Sequence, residues 1–157
     1  MHAFDSSRLD YCNSLLYGVS DKLLLKLQVI QSEAARVVTG ARKFDHITPV
    51  LCEVHWLHVR QCIRFKLVMI VYNDELAPPY LADDCVLVSS VASIHHLRSA
   101  DTRKPVVRRT RTVIGASDFA VSCAVIWNSL SIDLRVSSLF VATFARHLKA
   151  CLFRRPS

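Results

Sequence analysis

Leu23, Leu27, Ile30, Ala34, Val37 and Val38 recur at spacings of four, three, four, three and one. A helix of about 3.6 residues per turn gathers such positions on one side. The chain is therefore expected to form a helix there with one apolar face. Asp21 falls in its first turn, where a carboxylate meets the positive end of the helix dipole. Gly40 stands where a left-handed cap belongs. A further helix is expected from about Trp56 to Tyr72, with Ile63, Leu67, Ile70 and Val71 as its buried stripe and Pro78-Pro79 barring continuation. Ser6 to Gly18 reads as a shorter helix entered from serine and ended at glycine. Two more are expected at about 117–130 and 137–153; in the last, Phe140, Phe144, Leu148 and Cys151 keep helical spacing.

Only 3 glycines and 5 prolines occur in 157 residues, which suits helices with few tight turns better than an all-β chain. Hydrophobic residues make up 52% and charged residues 21%, a composition that argues against disorder. A chain of this length buries roughly 70% of its unfolded surface. The fold class is thus mainly α: a compact helical domain with a small β-hairpin in its second half. The hairpin is expected where β-branched Val106-Val107 and Thr112-Val113-Ile114 flank the basic residues. Residues 82–96 look irregular or strand-like, with Val86, Val88 and Val91 partly alternating. The 75–96 stretch offers the one candidate boundary. It separates a half of three helices (1–75) from a half with the hairpin and two helices (76–157), expected to pack as one domain.

The net charge of +7 is concentrated. Residues 98–111 hold Arg98, Arg103, Lys104, Arg108, Arg109 and Arg111 against Asp101, a net +5. Residues 146–155 add Arg146, Lys149, Arg154 and Arg155 with no acid. Guanidinium and ammonium groups neutralise phosphates and release counterions, giving salt-dependent binding that ignores base sequence. The candidate nucleic-acid contacts are Arg98, Arg103, Lys104, Arg108, Arg109, Arg111, Lys149, Arg154 and Arg155. The alternation from Val106 to Val113 would turn several guanidiniums to one face. No aromatic interleaves with them, so a base-stacking platform is not indicated. The alternative is a solvated basic hairpin.

Other constellations carry less. Cys52, His55, His58 and Cys62 have zinc-ligand chemistry, but on one continuous helix Cys52 and Cys62 would lie about 15 Å apart along the axis. Zinc thiolates must lie within about 4 Å of each other. A break near Trp56 would rescue only a partial site, so buried thiols and a polar or capping His55 are expected, with no metal and no cofactor. Asp83-Asp84 imitates the carboxylate pair that holds two Mg²⁺ ions in polymerases, yet no upstream hydrophobic strand offers a third aspartate; an exposed acidic turn is expected. Trp56 and Trp127 sit among aliphatics and read as core. No nucleophile elbow or phosphate-cradling glycine loop occurs. The six cysteines lack Cys-x-x-Cys spacing and no signal peptide opens the chain, so reduced thiols in the cytoplasm or nucleus are expected. No apolar run approaches the ~20 residues that span a bilayer.

Several blocks resemble one family in order. They are Ser7 to Gly18; Leu27-Gln28, Gln31 and Ala34-Ala35-Arg36 followed by Thr39-Gly40; and Phe44-Asp45-His46-Ile47-Thr48-Pro49 with His55-Trp56-Leu57. After these come Ala77-Pro78-Pro79-Tyr80-Leu81, Leu97 to Ala100, Gly115, Trp127-Asn128-Ser129-Leu130 and Phe144 to Phe153. Together they resemble the region downstream of the polymerase core in LINE-type (non-LTR) retrotransposon reverse transcriptases of chicken-repeat and jockey-like elements. Ser131, Glu75 and Val107 depart from the family pattern, which usually has proline, glycine and proline there. The resemblance implies a C-terminal portion that is not itself an enzyme, the family's endonuclease and palm having no counterpart in these residues. It would hold RNA or DNA weakly through the basic hairpin and tail helix. Two alternatives stay open: a module that packs on the polymerase portion of the parent polyprotein, and a decaying remnant without function.

Overall fold

A computed structural model describes residues 16–72, 88, 104–112, 115, 118–136 and 139–154. Among the described residues the regular structure is helical: α1 (Asp21–Thr39), α2 (Ile47–Glu53), α3 (Val59–Tyr72), α4 (Phe119–Asn128), α5 (Ile132–Val136) and α6 (Val141–Arg154). The mainly α class is therefore as the sequence implies. The chain divides into two compact units, one formed by Met1–Arg64 with Lys149–Ser157 and the other by Phe65–Leu148.

In the first unit, α1 forms where the spacing requires it and ends at Gly40. The φ of 71° at Gly40 is left-handed, a conformation that glycine adopts without a Cβ clash. The face that α1 buries, however, is not the apolar one that the spacing defines. Leu23, Ile30 and Val37 are exposed (45%, 58% and 77%), while Leu24, Gln31 and Ala35 are buried. The buried stripe is offset by one residue, about 100° around the helix. Hydrogen bonding accounts for the offset. Gln31 Nε2 donates to the Leu57 carbonyl at 2.8 Å, and Gln28 Oε1 accepts from the Val59 N–H at 2.9 Å. Gln28 Nε2 also donates to Gln31 Oε1 at 3.0 Å. The two glutamines thus satisfy backbone groups at the start of α3, whose first N–H groups have no partner within the helix.

Residues 42–58 form a sequence of helix signals. The Asp45 carboxylate accepts from the Arg42 N–H (2.7 Å), and its carbonyl accepts from Arg36 Nη2 (3.1 Å). His46 caps α2 at its start, its Nδ1 accepting from the Thr48 N–H at 3.4 Å, while His55, expected to be polar or capping, is exposed and stands at the other end of the helix. Pro49 lies in the first turn, where a missing N–H costs nothing. The helix stops by a Schellman motif. The His55 N–H donates to the Cys52 carbonyl (3.1 Å) and the Trp56 N–H to the Leu51 carbonyl (2.8 Å). His55 is left-handed, with φ of 56°. Trp56 packs with Ile47, Val54 and Ala41 against Ala35, Val50 and Leu51, the apolar contact that accompanies this motif. The helix expected from Trp56 therefore begins only at Val59, and a separate short helix precedes it.

The second unit is built on aromatics and small residues. Tyr72 and Phe144 stack with ring centroids 3.6 Å apart, and Trp127 lies 6.3 Å from each. The Tyr72 hydroxyl donates to the Leu139 carbonyl. Helix α4 is buried on nearly every side, through Ala120, Val121, Ser122, Cys123, Ala124, Ile126 and Trp127. A helix apolar all round belongs in an interior. On α6, Phe144, Leu148 and Leu152 are buried, whereas Phe140 precedes the helix and is 88% exposed.

The hairpin is not formed over its described residues: 106–112 make no strand. The Thr112 hydroxyl instead accepts from the Gly115 N–H at 3.0 Å, a local side-chain bond that competes with ladder pairing. Val113 and Ile114 lie outside the described residues, as do the greater part of the first expected helix and of the 75–96 stretch.

Candidate nucleic-acid interface

The basic segment Lys104–Thr112 is held near both ends. Near its start, Asn128 Nδ2 donates to the Pro105 carbonyl at 3.1 Å, and the Val88 N–H donates to the Lys104 carbonyl at 2.8 Å. Asn128 ends α4, so a rigid buried helix fixes the segment's entrance. Near its other end, the bond from Gly115 to Thr112 closes a tight turn. A Cβ on Gly115 would come within 3.1 Å of Thr112 Oγ1 and 3.3 Å of Thr110 Cβ, so this close approach favours a residue without one.

Between these anchors Arg108, Arg109 and Arg111 are all exposed, while Lys104 is half-buried. Three guanidiniums within four residues make a local cationic field that reaches an anion within about a Debye length, roughly 8–10 Å at ordinary salt. Exposed guanidiniums of this kind suit contacts to phosphate oxygens. The segment's irregular backbone replaces the one-sided strand face that alternation suggests.

The other basic candidates are distributed differently. Lys149 is half-buried and Arg154 exposed on α6, in the portion grouped with the first unit. Arg98, Arg103 and Arg155 lie outside the described residues, as do Asp83 and Asp84. Sequence reasoning passed over one exposed element. In the turn before α2, Phe44 is 95% exposed beside exposed Arg42 and Lys43. An aromatic that projects next to cations can stack on an unpaired base. The adjacency of Lys43 and Phe44 was the available signal, hidden because apolar residues are ordinarily assigned to the core.

The cysteine and histidine cluster does not assemble. Cys52 is exposed rather than buried, since it lies on the outer side of the short helix α2. Cys62 is half-buried, and its Sγ donates to the Leu57 carbonyl at 3.2 Å. Among the described residues no group of three or more His, Cys, Asp or Glu is placed to hold a metal ion. Burial lowers the pKa of the His58 imidazole, favouring the neutral ring. Trp127 is buried and Trp56 half-buried, so both pack as the sequence suggests. Among the described residues no helix is long and apolar enough to cross a membrane. No family model, curated protein or solved structure matches this chain.

Proposed function

We propose that the chain is a non-catalytic C-terminal portion of a LINE-type reverse transcriptase that holds RNA or DNA without regard to sequence. The observation that supports this most directly is the exposure of Arg108, Arg109 and Arg111 on a segment tethered by Asn128 and Gly115. A tethered cationic segment loses less freedom on binding than a free tail, so more of each phosphate contact is retained as affinity. The ordered blocks from Ser7 to Phe153 support the family assignment, and with it a cytoplasmic or nuclear setting. In this reading the chain performs no chemical step, and a primer-extension assay yields no product.

The test is fluorescence anisotropy with labelled single-stranded RNA and duplex DNA across a salt series. Binding should weaken steeply with salt and vary little among sequences. Arg108→Ala/Arg109→Ala/Arg111→Ala should reduce the logarithmic salt slope by about 2 on single strands and nearly 3 on duplex DNA. Affinity indifferent to salt, or a triple variant with the wild-type slope, would overturn the proposal.

A further inference from the structure

Leu23, Leu27, Ile30, Ala34 and Val37 alternate four and three residues apart, the spacing of a coiled-coil seam. On α1 this seam is not what the first unit buries. Leu23, Ile30 and Val37 are exposed and Leu27 and Ala34 half-buried, because Gln28, Gln31 and Ala35 hold the neighbouring stripe inward. We infer that a second copy of this chain docks antiparallel on this seam. Charge selects both occupant and orientation. Lys26 and Glu33 each precede a seam residue, Leu27 and Ala34, and both are exposed.

In the antiparallel register that layers Leu27 on Ile30 and Leu23 on Ala34 of the second copy, Lys26 lies across from Glu33, and two-fold symmetry repeats the pair. The next antiparallel register layers Leu27 on Val37 and Ile30 on Ala34, and it sets Glu33 against Glu33. A parallel pair would direct Lys26 toward the position of Gln31, which is buried within its own unit, and Glu33 toward that of half-buried, apolar Val38. One arrangement therefore satisfies the apolar layers and the charges together. The contact between Arg36 Nε and Glu33 Oε1 is 3.9 Å, and the Glu33 side chain remains 63% exposed, so its carboxylate is accessible to a lysine.

Sedimentation velocity of the reduced full chain, across a hundredfold range of micromolar concentration, tests the inference. A monomer–dimer equilibrium is expected. Ile30→Lys should remain monomeric while keeping its helical circular dichroism, because Ile30 is exposed in the monomer. Lys26→Glu or Glu33→Lys alone should weaken the dimer about three- to thirtyfold, as two exposed ion pairs become repulsions. The double reversal Lys26→Glu/Glu33→Lys should recover wild-type association. A protein that is monomeric throughout, an Ile30→Lys variant that associates like wild type, or a double reversal that fails to recover would each overturn it. A seam built to pack on the polymerase portion of a parent polyprotein would give one of those outcomes.

Discussion

Helices α1 and α6 are both amphipathic, yet they use their apolar stripes in opposite ways. On α6 the stripe of Phe144, Leu148 and Leu152 is buried. On α1 the residues of the most apolar stripe, Leu23, Ile30 and Val37, face outward, and the inward stripe carries two glutamines. Periodicity identifies a helix and its faces. It does not identify which face the rest of the chain will cover. On α1 that choice turns on the unmet hydrogen bonds of residues 57–59, since a buried carbonyl or N–H left without a partner costs about 1–3 kcal/mol. A half-exposed leucine costs less.

The largest expected effect breaks the α6 side of the comparison. Phe144 is fully buried and stacked on Tyr72, so Phe144→Ala should lower the unfolding free energy by about 3–5 kcal/mol in urea denaturation. A loss under about 1 kcal/mol would mean that the aromatic stack is not the centre of its unit. The corresponding α1 test is Gln31→Leu, which roughly keeps the volume and removes the bond to the Leu57 carbonyl. A loss of about 1–3 kcal/mol is expected. If leucine instead stabilised the protein, hydrogen bonding would not be what turns α1.

Among the described residues α1, α3, α4 and α6 were legible in the sequence, whereas the short helices α2 and α5 were not. Gly40 announces its left-handed cap, and the α6 spacing places Phe144 and Leu148 correctly. The α2 stop was not legible, because a Schellman turn with histidine in place of glycine carries no local signal. The misassigned start of α3 follows from that. The rotation of α1 was illegible for another reason: Gln28 and Gln31 are inward only because of carbonyl and N–H groups some thirty positions later. At the candidate interface, the cluster of arginines was visible in composition. Its anchoring by Asn128 required the fold, and the Thr112 turn overrode a β-branched pattern that had no partner strand among the described residues.

Two histidines of the α2–α3 connection sharpen the contrast at smaller scale. His55 occupies a left-handed position that disfavours a Cβ, so His55→Gly should raise the unfolding free energy by about 0.5–1 kcal/mol. A loss of stability there would show that the imidazole makes a contact outweighing the strain. For His58 the effect depends on pH. Its folded pKa is depressed by burial, so the folded protein binds this proton less readily than the unfolded chain. The stability tied to the neutral ring is complete above about pH 6.5 and is lost as pH falls from there through the lower folded value. The melting temperature should accordingly decline on acidification through that window, and His58→Gln should flatten the decline. An unchanged pH profile in the variant would assign the decline to other groups.

The smallest effect is also the one most at odds with hydropathy. Ile30→Ala and Val37→Ala remove large aliphatic side chains from a five-position apolar stripe, a change of the kind that costs about 2–5 kcal/mol in a core. Both side chains are exposed in the monomer, so at high dilution each should alter stability by less than about 0.5 kcal/mol. At concentrations where two copies associate, the wild type gains stability by mass action and the variants do not. The gap between wild type and Ile30→Ala should therefore widen as protein concentration rises, while the gap for Phe144→Ala stays constant. A core-sized cost for Ile30→Ala that is independent of concentration would mean that the seam is covered within a single chain, and α1 and α6 would then obey the same rule.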